Sequence, residues 1–291
     1  MKGATLKYKS EKRGNVIHVW FDDVSSSWEQ WFLLRSDTHH DSVHCRRDLE
    51  KKHLDKARER NAIILDGGDL FDAMQGRFDP RRSYKDVRPE YLIDDKYYDN
   101  IVNDTAEFLN PYADLFLLFG RGNHESSVIK NASTDLTDRL VHMLNMNGGH
   151  SYSGGYGGYV RLYFSRQGAN RSSCNIKYFH GAGGEAPVTK GMIQTNRQAV
   201  YLADADIVWN GHNHNEYITN NKRERLSNKG VLYFDLMTFI RTPGYKDDYG
   251  DGSDGWEVER GSVPKPHGAV WGRFYCGNDG KIKREFIADI E

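Results

Sequence analysis

Eight side chains of kinds that hold metal ions or move protons fall into five short polar clusters: Asp37 with His39, Asp69, Asn123 with His124, His180, and His212 with His214. Imidazole is the side chain most often found on a metal. His212 and His214 follow Gly211 and stand one residue apart, a spacing of use only off a helix, because alternate side chains diverge in extended backbone. Taken alone, a Gly-His-x-His stretch reads as well as a solvated loop. The regularity lies in position: each of the five clusters directly follows an apolar run.

The runs are residues 31–34, 62–65, 114–119, 176–179 and 207–209. Short apolar stretches bounded by polar turns predict buried strands. In open α/β sheets, sites form beyond the carboxyl ends of strands, so five such ends can share one crevice. Further strands are predicted at 16–21, 159–164, 216–219, 231–237, 270–275 and 283–287, with residues 1–14 an arm or edge strand. Leu49, His53, Leu54 and Ala57 recur at helical spacing within 44–61. Helices are also expected at 101–109, from Thr134 through Leu136, Leu140, Val141 and Leu144, and at 192–202. Residues 243–255, rich in Gly and Asp, read as a disordered or lid-like loop.

The formal net charge of −1 over 291 residues gives no global basic field for nucleic acid or membrane, so any such contact is local. Cys45, Cys174 and Cys276 are an odd number without zinc spacing, which fits a reducing, cytoplasmic setting. The longest aliphatic and aromatic run, 115–119, is far shorter than the roughly 20 residues of a membrane span. No linker divides the chain, so one domain over 1–291 is expected, with insertions around 74–98 and 241–267. No protein partner is evident.

Asp37-x-His39, Gly68-Asp69-x-x-Asp72, Gly122-Asn123-His124-Glu125, the lone His180 and Gly211-His212-x-His214 together resemble the calcineurin-like metallophosphoesterases, in that family's order. The resemblance spans residues 31 to about 220. It implies an α/β fold, a four-layer α/β/β/α sandwich of two mixed sheets flanked by helices. It further implies Asp37, His39 and His214 on one divalent cation, Asn123, His180 and His212 on a second, and Asp69 bridging both. Such mixed oxygen and imidazole ligands suit Mn, Fe, Zn or Ni better than Ca or Mg, with Mn expected. A water shared by the two cations would act as hydroxide on a phosphoester. His124, by the same resemblance, sits over the phosphate and serves the leaving group.

The wording at 67–72 and 211–214 is most similar to the phosphodiesterase and DNA-repair exonuclease branches. Glu125 replaces those nucleases' usual aspartate, Asn215 and Glu216 stand where a proline is usual, and little chain is left after residue 220 for a DNA-capping domain. Arg121 matches the protein phosphatase branch, but Ala73 and His214 do not. The expected substrates are phosphodiesters, DNA or nucleotides. The alternatives are a phosphomonoesterase or nucleotidase, and a non-catalytic scaffold of the same fold. His40, Arg81 and Arg82 are candidate substrate contacts, the arginines lying in a stretch where Arg and Lys alternate with Tyr and Phe. Asp72 is expected to steady its loop, and Glu125 reads equally as a partner for a ligating imidazole or as a solvated acid.

Overall fold

The protein is described here by a computed structural model covering residues 8–74, 86–166, 170–184, 189, 191–253 and 256–291. In chain order the elements are β1 (Lys9–Arg13), β2 (Val16–Phe21), β3 (Glu29–Arg35), α1 (Arg47–Glu59), β4 (Ile63–Asp66), α2 (Tyr97–Leu109), β5 (Phe116–Phe119), α3 (Asn123–Ala132), α4 (Leu136–Met146) and β6 (Tyr152–Ser153). There follow β7 (Gly157–Arg166), β8 (Asn170–Phe179), α5 (Met192–Tyr201), β9 (Ile207–Asn210), β10 (Tyr217–Leu226), β11 (Leu232–Arg241), α6 (Trp256–Glu259), β12 (Gly268–Cys276) and β13 (Ile282–Ile290). The strands form a seven-stranded sheet ordered β1-β2-β7-β8-β9-β11-β10 and a six-stranded sheet ordered β13-β12-β3-β4-β5-β6. Both sheets are mixed: β3, β4, β5 and β6 run parallel, as do β8, β9 and β11, while hairpins close the flanks.

Alternation on the strands explains the layers. Ile17, Val19 and Phe21 of β2, Val160, Leu162 and Phe164 of β7, and Ile176 of β8 point inward to meet Phe32, Leu34, Ile63, Leu65 and Leu118 of the smaller sheet. The opposite face of the smaller sheet is covered by α1, α2 and α4 through Leu54, Ile101, Leu140 and Leu144, which pack with Ile64, Phe116 and Phe119. β5 is buried on both sides, which is why its sequence is an unbroken apolar run rather than an alternating one. α5 covers part of the larger sheet around Val208, Met237 and Phe239. The expected four-layer α/β/β/α sandwich of two mixed sheets is what the chain forms.

Three elements depart from the sequence reading. α3 follows β5 directly, although Asn, Ser and a single buried Val128 give it little apolar face. β10 and β11 reach ten residues each and pair along their whole length, from Tyr217 opposite Arg241 to Leu226 opposite Leu232. The distal half of β10, Asn-Asn-Lys-Arg-Glu-Arg, carries no apolar alternation, so cross-strand pairing rather than pattern sets its length. Within the expected insertion 241–267, Thr242 and Tyr245 are fully buried, the Tyr245 N–H donating to the Asp37 carbonyl at 2.9 Å. Among the described residues no helix is long and apolar enough to cross a membrane.

A buried ion cluster ties the helical layer to the strand ends. Arg35, wholly buried at the end of β3, places Nε 2.9 Å from Asp66 at the end of β4 and Nη1 2.8 Å from Glu50 on α1. Its Nη2 donates to Thr38 Oγ1, and Asp66 Oδ1 accepts the Gly68 N–H. Burial pushes the Asp66 carboxyl up to about 6 despite Arg35, whose guanidinium acts in the opposite direction. Removing one member of such a cluster leaves the others buried and uncompensated. Arg35→Met is therefore expected to lower unfolding stability by about 3–5 kcal/mol. Urea titration checks this, and a loss below about 1 kcal/mol, the range of an exposed pair, would refute it.

Candidate metal centre

The site forms where the carboxyl ends of five strands from both sheets meet. The turn after β3 supplies Asp37 and His39, that after β4 supplies Asp69, and α3 opens with Asn123 and His124 after β5. From the larger sheet come His180 after β8, then His212 and His214 after β9. Potential ligand atoms of Asp37, His39 and His214 lie within 4.8 Å of one another, as do those of Asp69, His180 and His212, and those of His39, Asp72 and His124. Asp69 Oδ2 is 3.0 Å from His180 Nε2 and 3.9 Å from His124 Nε2, and Asp37 Oδ1 is 3.5 Å from His214 Nε2 and 3.8 Å from His180 Nε2.

Local backbone brings this about at a cost. Of the eight non-glycine residues with positive φ among the described residues, five are Asp37, His39, Asp69, His212 and His214, with φ from 48° to 75°. The left-handed region is disfavoured by roughly 1–2 kcal/mol per residue for side chains with a Cβ, and such outliers gather where function over-determines the backbone. Two glycines permit the close approach. A Cβ on Gly122 would lie 1.9 Å from Asp69 Oδ1, and one on Gly68, at φ 99°, would meet the Arg121–Gly122 backbone at 2.4 Å.

Hydrogen bonds orient the imidazoles of His180 and His39 so that one nitrogen of each faces the centre. His180 Nδ1 meets the Gly67 carbonyl at 3.0 Å. A carbonyl only accepts, so Nδ1 carries the proton and Nε2 presents a lone pair when the ring is neutral. His39 Nδ1 is 2.8 Å from Asp72 Oδ1, which Lys246 Nζ also approaches at 3.2 Å. This is the arrangement in which outer groups fix the tautomer of ligating histidines. His39 Nε2, His180 Nε2 and Asn123 Oδ1 are then buried with no hydrogen-bond partner in the described structure; His180 Nε2 is near Asp69 but out of line with it. Buried polar atoms are ordinarily satisfied. Three orphans aimed at one place, ringed by carboxylates and further imidazoles, fit divalent cations.

The electrostatics agree. Burial would push the His180 ring down, but Asp69 and Asp37 outweigh it and raise it to about 10, the pull that two buried carboxylates exert on any positive charge placed between them. Asp37 is drawn down to about 2 against burial, chiefly by His180 and then His214. Burial lowers His212, and His180 adds to it. The carboxylates at the centre thus favour positive charge at the position the imidazoles face.

Several sequence expectations are refined. The Asp72 carboxylate orients His39 and pairs with Lys246, and with His39 and His124 it forms a third group whose atoms could hold a cation. Glu125 is neither solvated nor paired with an imidazole. It is fully buried and accepts the Gly122, Asp69 and Phe71 N–H groups at 2.8, 3.1 and 3.0 Å, fastening α3 to the turn after β4. Burial and the neighbouring Asp69 raise its carboxyl to about 7. His40 does not reach the crevice: it is wholly buried on the helical side, with Nδ1 near Arg47 and Thr105 and its ring on Phe108. Adjacent side chains of a tight turn diverge, and His39 takes the inward direction. Arg81 and Arg82 lie outside the described residues. Lys246 and Tyr156, whose ring lies 5.4 Å from that of His180, border the site without any sequence motif to announce them.

No protein-family model and no curated protein matches the chain. Solved structures that overlap it include a Streptococcus pneumoniae protein described as a predicted phosphoesterase, 11% identical with a TM-score of 0.30, covering 90% of this chain and 99% of that one. The GAP50 anchor of the Plasmodium inner membrane complex is 11% identical with a TM-score of 0.41, covering 89% and 84%. Vps29 of Chaetomium thermophilum is 9% identical with a TM-score of 0.36, covering 90% and 98%. Likeness at this level lends no weight to any function, and the site stands on its own geometry.

A ligand that binds only the native state raises stability by mass action, by about 2.7 kcal/mol at a hundredfold excess over Kd. Adding Mn to chelator-treated protein should therefore raise the melting temperature. His180→Ala should abolish most of that rise, while His40→Ala should preserve it whatever its effect on the metal-free protein. A melting temperature indifferent to Mn, Zn and Fe would count against the centre.

Proposed function

We propose that this chain is a metal-dependent phosphoester hydrolase acting on phosphodiesters of nucleic acids or nucleotides. The observation that carries the proposal is the burial of His39 Nε2, His180 Nε2 and Asn123 Oδ1 without partners beside Asp37 and Asp69. In this reading Asp37, His39 and His214 hold one cation, Asn123, His180 and His212 another, and Asp69 lies between. When bound, such a pair neutralises phosphoryl charge and acidifies a water at neutral pH.

The remaining work falls to the chain. His124 is the candidate proton donor. Its Nδ1 meets the Asp72 carbonyl, which fixes a proton on Nδ1 and turns Nε2 toward Asp69 at the centre. In the imidazolium form Nε2 can donate to a departing alkoxide. Its backbone N–H donates to Asp69 Oδ1 at 2.9 Å, so the turn that places the donor also holds the carboxylate. His212 and His214, together with Asn123 and His124, are half-buried whereas His39 and His180 are buried, so substrate enters on the side these four residues line.

The test is a panel of aryl monoester, aryl diester, cyclic nucleotide, and single- and double-stranded DNA, assayed with Mn. Diester hydrolysis is expected, lost on chelation and abolished by Asp69→Asn. His124→Ala should lower kcat about 10²- to 10⁴-fold for an alkoxide leaving group and much less for nitrophenolate, which leaves without a proton. Activity confined to monoesters would replace this reading with a phosphomonoesterase, and an equal loss on both leaving groups would remove His124 as the donor.

A further inference from the structure

The larger sheet is covered unevenly. α5 packs over β9 and β11 and reaches Tyr159 on β7. Among the described residues no helix covers the outer face of β1, β2 and the rest of β7. A solvated sheet face ordinarily carries polar side chains opposite its core-facing row. Here the outward positions of β2 and β7 include His18, Trp20, Tyr159, Arg161 and Tyr163, with Val16, Gly157 and Ser165 at the ends, alternating with the buried Ile17, Val19, Val160 and Leu162.

The rings form an ordered group. Trp20 and Tyr163 are directly paired across the strands, with centroids 5.5 Å apart and planes 7° from parallel. His18 lies 5.7 Å from each at 14°, its Nδ1 2.9 Å from the Tyr163 hydroxyl. Arg161 sits over the Tyr163 ring at 5.1 Å and Lys177 over Tyr159 at 4.9 Å. Neither cation has a carboxylate partner among the described residues. The nearby acids on β1 and beyond β2 are already occupied, Glu11 by Arg13 and Asp22 by Lys9, and the charge of Asp204 is felt by Tyr159.

This face leads to the metal centre. β7 and β8 are paired so that Tyr163 lies opposite Ser173, Tyr159 opposite Lys177 and Gly157 opposite Phe179, the residue before His180. At roughly 3.3 Å per residue, Tyr163 is about 20 Å along the strand from the site's edge. Tyr156 and Phe179, with rings 5.5 Å apart, continue the aromatic trail to His180.

We propose that the outer face of β2 and β7, formed by Trp20, Tyr163, His18, Arg161, Tyr159 and Lys177, is a binding track for single-stranded nucleic acid leading to the metal centre. Bases stack on aromatic side chains with little regard to sequence, and cations follow the backbone. Two unpaired cations among four rings match a polyanion with π-faces. A duplex hides its base faces and gains nothing from the rings. That the track delivers a substrate rests on the hydrolase reading, but binding by the track does not.

The experiment measures fluorescence anisotropy of a labelled oligothymidine of about 12 nucleotides, within the span of single-strand sites of this kind, with chelator present so that nothing is cut. Wild type should bind the single strand more tightly than a duplex of equal length. Trp20→Ala and Arg161→Glu should each weaken binding about tenfold or more, and Trp20→Phe should keep it within about threefold. Arg161 is exposed, so its substitution tests the track even if Trp20→Ala fails to fold. With Mn, kcat/KM for a small aryl diester should be unchanged in Arg161→Glu. Wild-type affinity in both Trp20→Ala and Arg161→Glu, absence of oligonucleotide binding by wild type, or equal affinity for duplex would overturn the track. Weakened binding in the variants of a protein inert to every diester would uphold the track while removing the hydrolase reading.

Discussion

Asp69 is 2% exposed, and an ionised carboxylate at that depth is untenable without partners, because the cost of stripping its water exceeds what a fold has to spare. The rest of the structure can be understood as the arrangement that makes this burial tolerable. One oxygen accepts the His124 N–H at the start of α3, and the other faces His180 at 3.0 Å. Those two groups come from different sheets. The carboxylate therefore sits at the seam of the sandwich and draws charge compensation from both halves, which explains why the centre lies at strand ends and not within either sheet.

The second tier of polar groups does for geometry what the first does for charge. Glu125 receives three backbone N–H groups from two turns that are 54 to 56 residues from it or adjacent to it in sequence. Asp72 gathers His39 and Lys246 on its carboxylate and His124 on its carbonyl. Each is a buried network in which nearly every member is satisfied, and such networks rigidify because partial satisfaction is costly. The exceptions are the nitrogen and oxygen atoms turned to the centre. What marks this site is not incompleteness alone, since Arg35 Nη1 and Glu50 also leave buried atoms without a hydrogen bond, but that there the charges of Arg35 and Glu50 face each other at 2.8 Å, whereas His39 Nε2, His180 Nε2 and Asn123 Oδ1 stand among further carboxylates and imidazoles.

Much of this was legible in the sequence because the candidate site residues follow strands. An apolar run that stops at a polar residue marks both a buried strand and its end, so Asp37, Asp69, His180 and His212 announce their own positions. The helical layer was legible through Leu49, Leu54 and Leu140 at helical spacing. What failed to show lacked a period. α3 is short and held by Glu125 through backbone contacts that impose no apolar pattern. Lys246 and Tyr245 act from a stretch that reads as loop, since burial by contact with a distant turn leaves no local mark. His40 misled because adjacency to a ligand says nothing about direction once φ at His39 is 48°. The outer aromatic face of β2 and β7 was hidden for the opposite reason: alternation of Trp, Tyr and His with aliphatics resembles a strand buried on both sides.

The strained turns carry the final consequence. Five residues of the candidate centre at positive φ represent on the order of 5–10 kcal/mol of local disfavour at roughly 1–2 kcal/mol each, comparable with the whole stability of a typical domain. Such a sum persists only if relaxing any one turn would break something larger. Asp37 shows how that is arranged: its N–H donates to the Gly68 carbonyl, its carbonyl accepts from Tyr245, and its carboxylate accepts the His212 N–H. Relaxation at Asp37 would therefore disturb the turns after β4 and β9 and the segment after β11 together. These turns are locked to one another by the chain's own hydrogen bonds, so the geometry of the candidate centre is a property of the folded chain.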